Sequence, residues 1–356
     1  MLAFTCDSCG QKVFFDNDEC LRCGSPLGYV PTSGSVVALA QVGPNRLVEL
    51  ADPDEIWQRC ATSPVTGCNW LVPEGDPVPC RSCALTRTRP ADDDVEGIRE
   101  LVRAEGAKRR LIFQLDELEL PITPRNELTE SGLAFDLLSS TSQKVITGHD
   151  EGVITLDLAE ADDEHREQLR LHLNEPYRTL LGHFRHEIGH YYWPILVDRT
   201  HEIDECRDLF GDERADYAEA IKRHYQSDAE STEWQSDFIS RYATMHPFED
   251  WAETFAHYLH MLDTLQTAES FGLRGPGPSE EDEPRVTFDA TRPDHSSSFE
   301  DLVEHWLEMT YALNQVSRSM GRDDLYPFVL PPTVIKKMAF VDSVVRTSQS
   351  QASTFD

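Results

Sequence analysis

The chain of 356 residues is long enough for two domains of ordinary size. It carries 64 Asp+Glu against 32 Lys+Arg, a formal charge of -32, and only 7 basic and 10 acidic side chains fall in residues 1 to 90. Nucleic acid is therefore not expected as a partner of the larger part, because phosphate binding requires a basic surface.

The opening "MLAFTCDSCG" has no basic stretch leading into an apolar one, so no secretion signal is expected. No run of about eighteen apolar residues occurs, which argues against a membrane span. Cysteines in C-x-x-C pairs without such a signal point to metal ligation in a reducing compartment, and a cytoplasmic location is expected.

Cys6, Cys9, Cys20 and Cys23 form C-x2-C-x10-C-x2-C, each pair followed directly by Gly. Two such turns present four thiolates to one tetrahedral ion, the pattern of a structural zinc site. Cys60, Cys68, Cys80 and Cys83 make a second, looser quartet interrupted by proline and glycine. The first histidine is His149, so zinc in residues 1 to 90 must use thiolates or carboxylates. Two structural zinc ions are expected in a zinc-ribbon region over 1–90, supplying most of its folding energy. "SVVALA" and "NRLVEL" between the quartets read as short strands. Such ribbons also dock partners, and a protein fits this charge better than a nucleic acid. Cys206 is left over and is expected to be a buried small side chain.

Residues 91 to 120 read as a helix opened by aspartates. "GLAFDLL", "KVITG" and "GVITLDLA" then read as three short strands, and the rest is helical almost to the end. Strands followed by helices make an α+β arrangement with a mostly helical domain over 91–272. An acidic, Pro/Gly/Ser-rich loop or linker is expected at 273–298, helices packed on that domain at 299–347, and a flexible tail at 348–356.

"LGHFRHEIGHYYW" spans residues 181 to 193. Pro176 near a first turn and apolar Tyr177, Leu181, Phe184, Ile188 and Tyr191 predict an amphipathic helix. On it His186 and His190 lie within about 40° of each other, opposite the apolar stripe. An i, i+4 pair can place two nitrogens on one zinc, while Glu187 beside them can take a proton from a metal-activated water. Gly189 removes a side chain from the crowded side, and His183, on the same face, is expected to be a supporting or solvated histidine.

A catalytic zinc needs a third protein ligand and an open position. "FGDERADYAEAI" offers Asp212 and Glu213, and "HPFEDWAETFAHYLHMLDTL" offers Glu249, Asp250 and Glu253. The second stretch is the better helix, with Pro247 and acids in its first turn and Phe248, Trp251, Phe255, Leu259 and Leu262 along one side. Glu249, Glu253 and His260 form a separate polar stripe.

"HEIGH" followed by a helix of the form E-x-x-A-E-x-F resembles the gluzincin metallopeptidases. The resemblance implies Glu249 as third ligand, Glu253 as the support of a ligating histidine, and Tyr242, seven residues before Glu249, as an oxyanion-stabilising phenol. With the cysteine-rich ribbon and "FGDERADYAEA", residues 1 to about 270 resemble a bacterial family of zinc-binding metallopeptidases. That implies one catalytic zinc besides the two structural ions, Glu187 as general base, and a peptide or protein substrate. "GVITLDLA" is a candidate edge strand for that peptide. Asp212 or Glu213 as ligand and Arg214 as a substrate-carboxylate anchor stay open. So do hydrolysis of a non-peptide amide and a non-catalytic zinc-binding scaffold that docks a protein through the ribbon.

Overall fold

A computed structural model describes residues 2–140, 145–173, 175–226, 232–273 and 298–352. The chain divides into two compact units, the first of Met1–Phe113 and Thr123–His165, the second of Gln114–Ile122 and Arg166–Asp356.

The first unit begins with a small hairpin, β1 (Phe4–Thr5) and β2 (Lys12–Val13). An antiparallel sheet follows in simple order: β3 (Leu27–Val30), β4 (Ser35–Gly43), β5 (Arg46–Glu49), β6 (Trp57–Arg59) and β7 (Leu71–Pro73). Val30, Val37, Leu39, Leu47, Trp57 and Leu71 fill its core. The two short strands expected between the quartets are thus the middle of a larger sheet. Two single turns of helix, α1 (Ser63–Thr66) and α2 (Arg81–Ala84), present the second cysteine quartet.

A second sheet runs β10 (Gly148–Asp150), β11 (Val153–Asp157), β9 (Ala134–Leu138), β8 (Thr86–Thr88). Its central pair is parallel, and β10 folds back on β11 as an antiparallel hairpin. Gly152 closes that hairpin at φ +85°, where an added Cβ would lie 2.2 Å from the Gly132 carbonyl, so only glycine fits. Two expectations change here. "GVITLDLA" supplies β11, which is flanked by β9 and β10, so its backbone groups are already paired and it is not an edge for a peptide to join. The "KVITG" strand is displaced: residues 145–147 are irregular and β10 starts at Gly148, Lys144 lying outside the described residues.

Helix α3 (Val95–Glu117) starts four residues later than the aspartate run suggests. Asp94 accepts from the Gly97 amide at 2.9 Å and so sits outside the first turn as its cap. Leu101, Ala104, Leu111, Ile112 and Phe113 form its buried side.

The second unit is helical. After α4 (Asp163–Leu173) come α5 (Leu180–Trp193), a π-helical turn (Pro194–Asp198), α6 (Ile203–Phe210), α7 (Tyr217–Gln226), a 3-10 turn (Tyr242–Thr244), α8 (Pro247–Ser270), α9 (Phe299–Ser319) and α10 (Pro332–Ala352). The expected loop at 273–298 lies almost wholly outside the described residues, as does the end of the tail, while 348–352 continue α10.

Helix α8 is the spine of this unit. Trp251, Phe255, Tyr258, Leu259 and Met261 are nearly inaccessible to solvent. Buried polar links join α8 to α10, Lys337 to Asp250 at 2.6 Å and Tyr258 to Asp342 at 2.9 Å. Against α5 the approach is closest at Gly189, where a Cβ would meet the Ala252 Cα at 3.0 Å and Phe255 Cβ at 3.3 Å. The Trp251 indole donates to the Gly189 carbonyl at 2.8 Å. Glycine in this motif therefore brings two helices together, which sets the reach of the side chains on either side of it.

Candidate metal centres

In the first unit the two cysteine quartets converge. Cys6 Sγ lies 3.7 Å from Cys23 Sγ, Cys9 Sγ 3.7 Å from Cys20 Sγ, and Cys68 Sγ 3.8 Å from Cys80 Sγ. A tetrahedron with zinc–sulfur bonds of about 2.3 Å has sulfur–sulfur edges of about 3.8 Å. Both quartets have one sulfur per residue within a single ion's reach. The Cys80 amide donates to Cys60 Sγ at 3.3 Å, a contact that favours a thiolate. The second quartet is buried at all four cysteines, whereas Cys23 of the first is exposed. The loose spacing of the second quartet is absorbed by α1, β7 and the turn before α2.

In the second unit, Thr179 caps α5 by accepting from the Gly182 amide at 3.0 Å, so the helix begins after Tyr177 and not at Pro176. A second difference is burial. Phe184 through Trp193 are all buried, so the histidines lie between helices and not on a solvated polar face.

His186 Nδ1 is 2.7 Å from Glu253 Oε1, and Glu253 Oε2 accepts from the Ser240 hydroxyl at 2.5 Å. With Nδ1–H spent on that carboxylate, the lone pair of Nε2 points the other way. There it meets His190 Nε2 at 3.2 Å and Glu249 Oε2 at 3.0 Å, and His190 Nε2 lies 3.4 Å from the same oxygen. Three donor atoms at tetrahedral-edge distances face one point, and Glu249 Oε2 is buried without a hydrogen-bond donor. Bonds of about 2.1 Å to one zinc give edges of about 3.4 Å, so the donor set fits that ion.

The charges of the trio depend on each other. Burial alone would push His186 down, but the carboxylates of Glu249 and Glu253 outweigh it and hold its pKa well above the usual value. Burial would raise both acids, yet Glu249 is held far below the carboxylate range by His186 and His190, and Glu253 sits at about 2 through His186. A site that favours two carboxylates and a protonated imidazole without metal is a site built for positive charge.

Glu187 is buried, with His183 Nε2 at 3.5 Å from its Oε1. Tyr242 stands beside His186, ring centroids 5.6 Å apart. Its phenol is pushed far up, first by burial and then by Glu249, Tyr217, Glu187 and Glu253, which places all of these around one locality.

The segment "FGDERADYAEAI" resolves differently from its acids. Asp212 pairs with Arg214 at 2.7 Å on the surface, and Glu213 pairs with Arg207 at 2.6 Å, so neither is a ligand and Arg214 already has its carboxylate. Tyr217 is the residue that reaches the trio, donating to Glu249 Oε1 at 2.7 Å. A tyrosine among charged residues carried no signal along the chain; only its place at the start of α7 aims it. Asp250 turns away to Lys337, and His260 accepts from Arg185 with Nδ1–N distance 2.7 Å, so these belong to packing. Cys206 is fully buried, its thiol pushed up by that burial.

Two histidines one helical turn apart and a carboxylate from a second helix form a group that could hold a metal ion, with an acid beside the first histidine and two cysteine quartets earlier in the chain. A zinc-ribbon family model matches residues 3–94. The chain belongs to the family described as "Putative zinc-binding metallo-peptidase", whose model matches residues 98–344. Uncharacterized proteins of Mycobacterium bovis and of two strains of Mycobacterium tuberculosis are 50% identical over 347 residues, 97% of this chain and 95% of theirs. No solved structure matches. The two family models meet between residues 94 and 98, whereas the compact units divide within α3 and again after α4 begins. Among the described residues no helix is long and apolar enough to cross a membrane.

Proposed function

We propose that the protein is a zinc-dependent peptidase in which His186, His190 and Glu249 hold the catalytic ion and Glu187 is the general base. The observation that carries this reading is the convergence of His186 Nε2, His190 Nε2 and Glu249 Oε2 within 3.4 Å of one another, with buried Glu187 on the same helix. Three ligands leave a fourth corner, and zinc there supplies a Lewis acid that acidifies water and polarises a carbonyl.

Glu187 accepts the proton of the attacking water and returns it to the leaving amine, a role suited to a buried acid that is not itself a ligand. Glu253, through its 2.7 Å bond to Nδ1, keeps His186 in the tautomer that presents Nε2. Tyr242 donates its hydroxyl to the carbonyl oxygen as charge develops, which requires a phenol that stays protonated; burial and the surrounding carboxylates ensure that. The substrate is a peptide or protein. Eight paired cysteine thiolates fit a reducing compartment, for which the cytoplasm is our reading. Each quartet holds one structural zinc, for three ions in all.

Glu187→Gln tests the assignment of the base. The variant should bind zinc normally and lose roughly 10²- to 10⁴-fold in kcat on an unstructured protein substrate. Full activity with zinc bound would remove Glu187 from the mechanism.

A further inference from the structure

Tyr217 donates its hydroxyl to Glu249 Oε1 at 2.7 Å, while Glu249 Oε2 faces His186 Nε2 at 3.0 Å and His190 Nε2 at 3.4 Å. The two oxygens of one carboxylate therefore have different tasks. A carboxylate free to rotate can give a cation one oxygen or two, and the second would occupy the corner that water and substrate need. The geometry points to Tyr217 as a positioning residue that pins Oε1, holds Glu249 to a single metal bond and so keeps the fourth corner open. This rests on the proposed zinc site.

Further features support the role. Tyr217 is 41% exposed as a residue, yet its hydroxyl end reaches an acid that is 2% exposed, so the ring spans from solvent to the site and is not core filler. On the side away from the carboxylate, the Tyr217 ring rests edge-on against His246, centroids 5.2 Å apart, and His246 is fixed by its own contact to the Ala215 carbonyl at 3.0 Å. His246 also caps α8, accepting from the Phe248 amide at 3.1 Å. The phenol is thus referenced to the same helix start that carries Glu249.

Helix α7 contributes in a second place. His224 lies seven residues after Tyr217, two turns on and nearly the same side of the helix, and its ring is 6.2 Å from Tyr242. Ala220, between them, is the one residue of α7 that is buried among those whose side chains are described.

The test compares Tyr217→Phe with wild type by zinc competition against a chromophoric chelator, in full-length protein whose structural ions are retained. Loss of the hydroxyl should weaken the second unit's zinc by 10- to 100-fold, the usual effect of removing a group that orients a ligand. The same substitution made in Glu249→Ala should produce no further change, because the hydroxyl acts only through that carboxylate. Cobalt substituted at the site should give a d–d spectrum shifted toward higher coordination in Tyr217→Phe, with melting of protein emptied at this site alone unchanged. Equal zinc affinity and equal cobalt spectra in wild type and Tyr217→Phe would overturn the inference. If His186→Ala fails to lose an ion, the zinc site is wrong; if His186→Ala loses one and Tyr217→Phe is silent, only Tyr217's role is.

Discussion

The thiolate quartets of the first unit and the His/His/Glu trio of the second solve different problems with the same chemistry. Each quartet brings four sulfurs within one ion's reach, with Cys6–Cys23, Cys9–Cys20 and Cys68–Cys80 at 3.7 to 3.8 Å, drawn from hairpins and single turns. The trio takes its three donors from two long helices, α5 and α8. On the proposed reading the ion stabilises the fold in the first case, while in the second the fold prepares a place for an ion with one corner left to water. Ligand count follows from that division, because a closed shell stabilises and an open one can react.

Substitution of one ligand in each place should break the symmetry most strongly. Cys20→Ser should lose one zinc and unfold the ribbon, since metal binding there is worth on the order of 10 kcal/mol to folding. His190→Ala or Glu249→Ala should also lose one zinc but keep the helical melt. Native mass spectrometry should count three ions in wild type and two in each variant, with limited proteolysis separating the unfolded ribbon from the intact helices. Three ions retained in Glu249→Ala would remove the trio from consideration.

A finer contrast lies within α8, where neighbouring acids have opposite duties. Glu249 is kept ionised for the histidines, while Asp250 is pushed up to about 7 by burial despite Lys337 at 2.6 Å. Asp250→Ala leaves the Lys337 ammonium buried without its carboxylate, and urea titration should show a loss of about 3–5 kcal/mol with the zinc count still at three.

Acid provides a third comparison. Burial holds His257 down at about 4, its Nδ1 lying 2.8 Å from the Tyr326 hydroxyl. Between the unfolded pKa near 6.5 and that value the unfolded chain binds the extra proton. Stability from this group is therefore full above about pH 6.5 and falls as pH drops toward 4, by roughly 3 kcal/mol. The difference between wild type and His257→Gln in denaturant midpoint should narrow over this window; a constant difference would show that His257 does not titrate there.

Much of this was legible along the chain because it is local. C-x-x-C pairs close their own turns, His186 and His190 share a helix face by spacing alone, and Pro247 with its acids marks the start of α8. Glu249 and Glu253 were candidates from their helix, their separate roles came from the resemblance, and the fold brings both to His186. What failed was whatever depended on neighbours. The run "GVITLDLA" reads the same at an edge or in the middle of a sheet, and only β9 and β10 on its two sides decide. The apolar stripe of α5 placed the histidines on its polar face, and only the fold shows that this face is buried too.

Side-chain identity and short spacing thus determined which atoms could bind metal, because those constraints act within a few residues of chain. Tertiary packing decided which acids take part. Asp212, Glu213 and Asp250 are chemically equal to Glu249, yet Asp212 and Glu213 are claimed by arginines two and six residues away, and Asp250 by Lys337, which only long-range folding sets beside it. Tyr217, silent in the sequence, gains its role because the fold carries its hydroxyl to a carboxylate 32 residues away, and a hydrogen bond depends on where two groups end up in space.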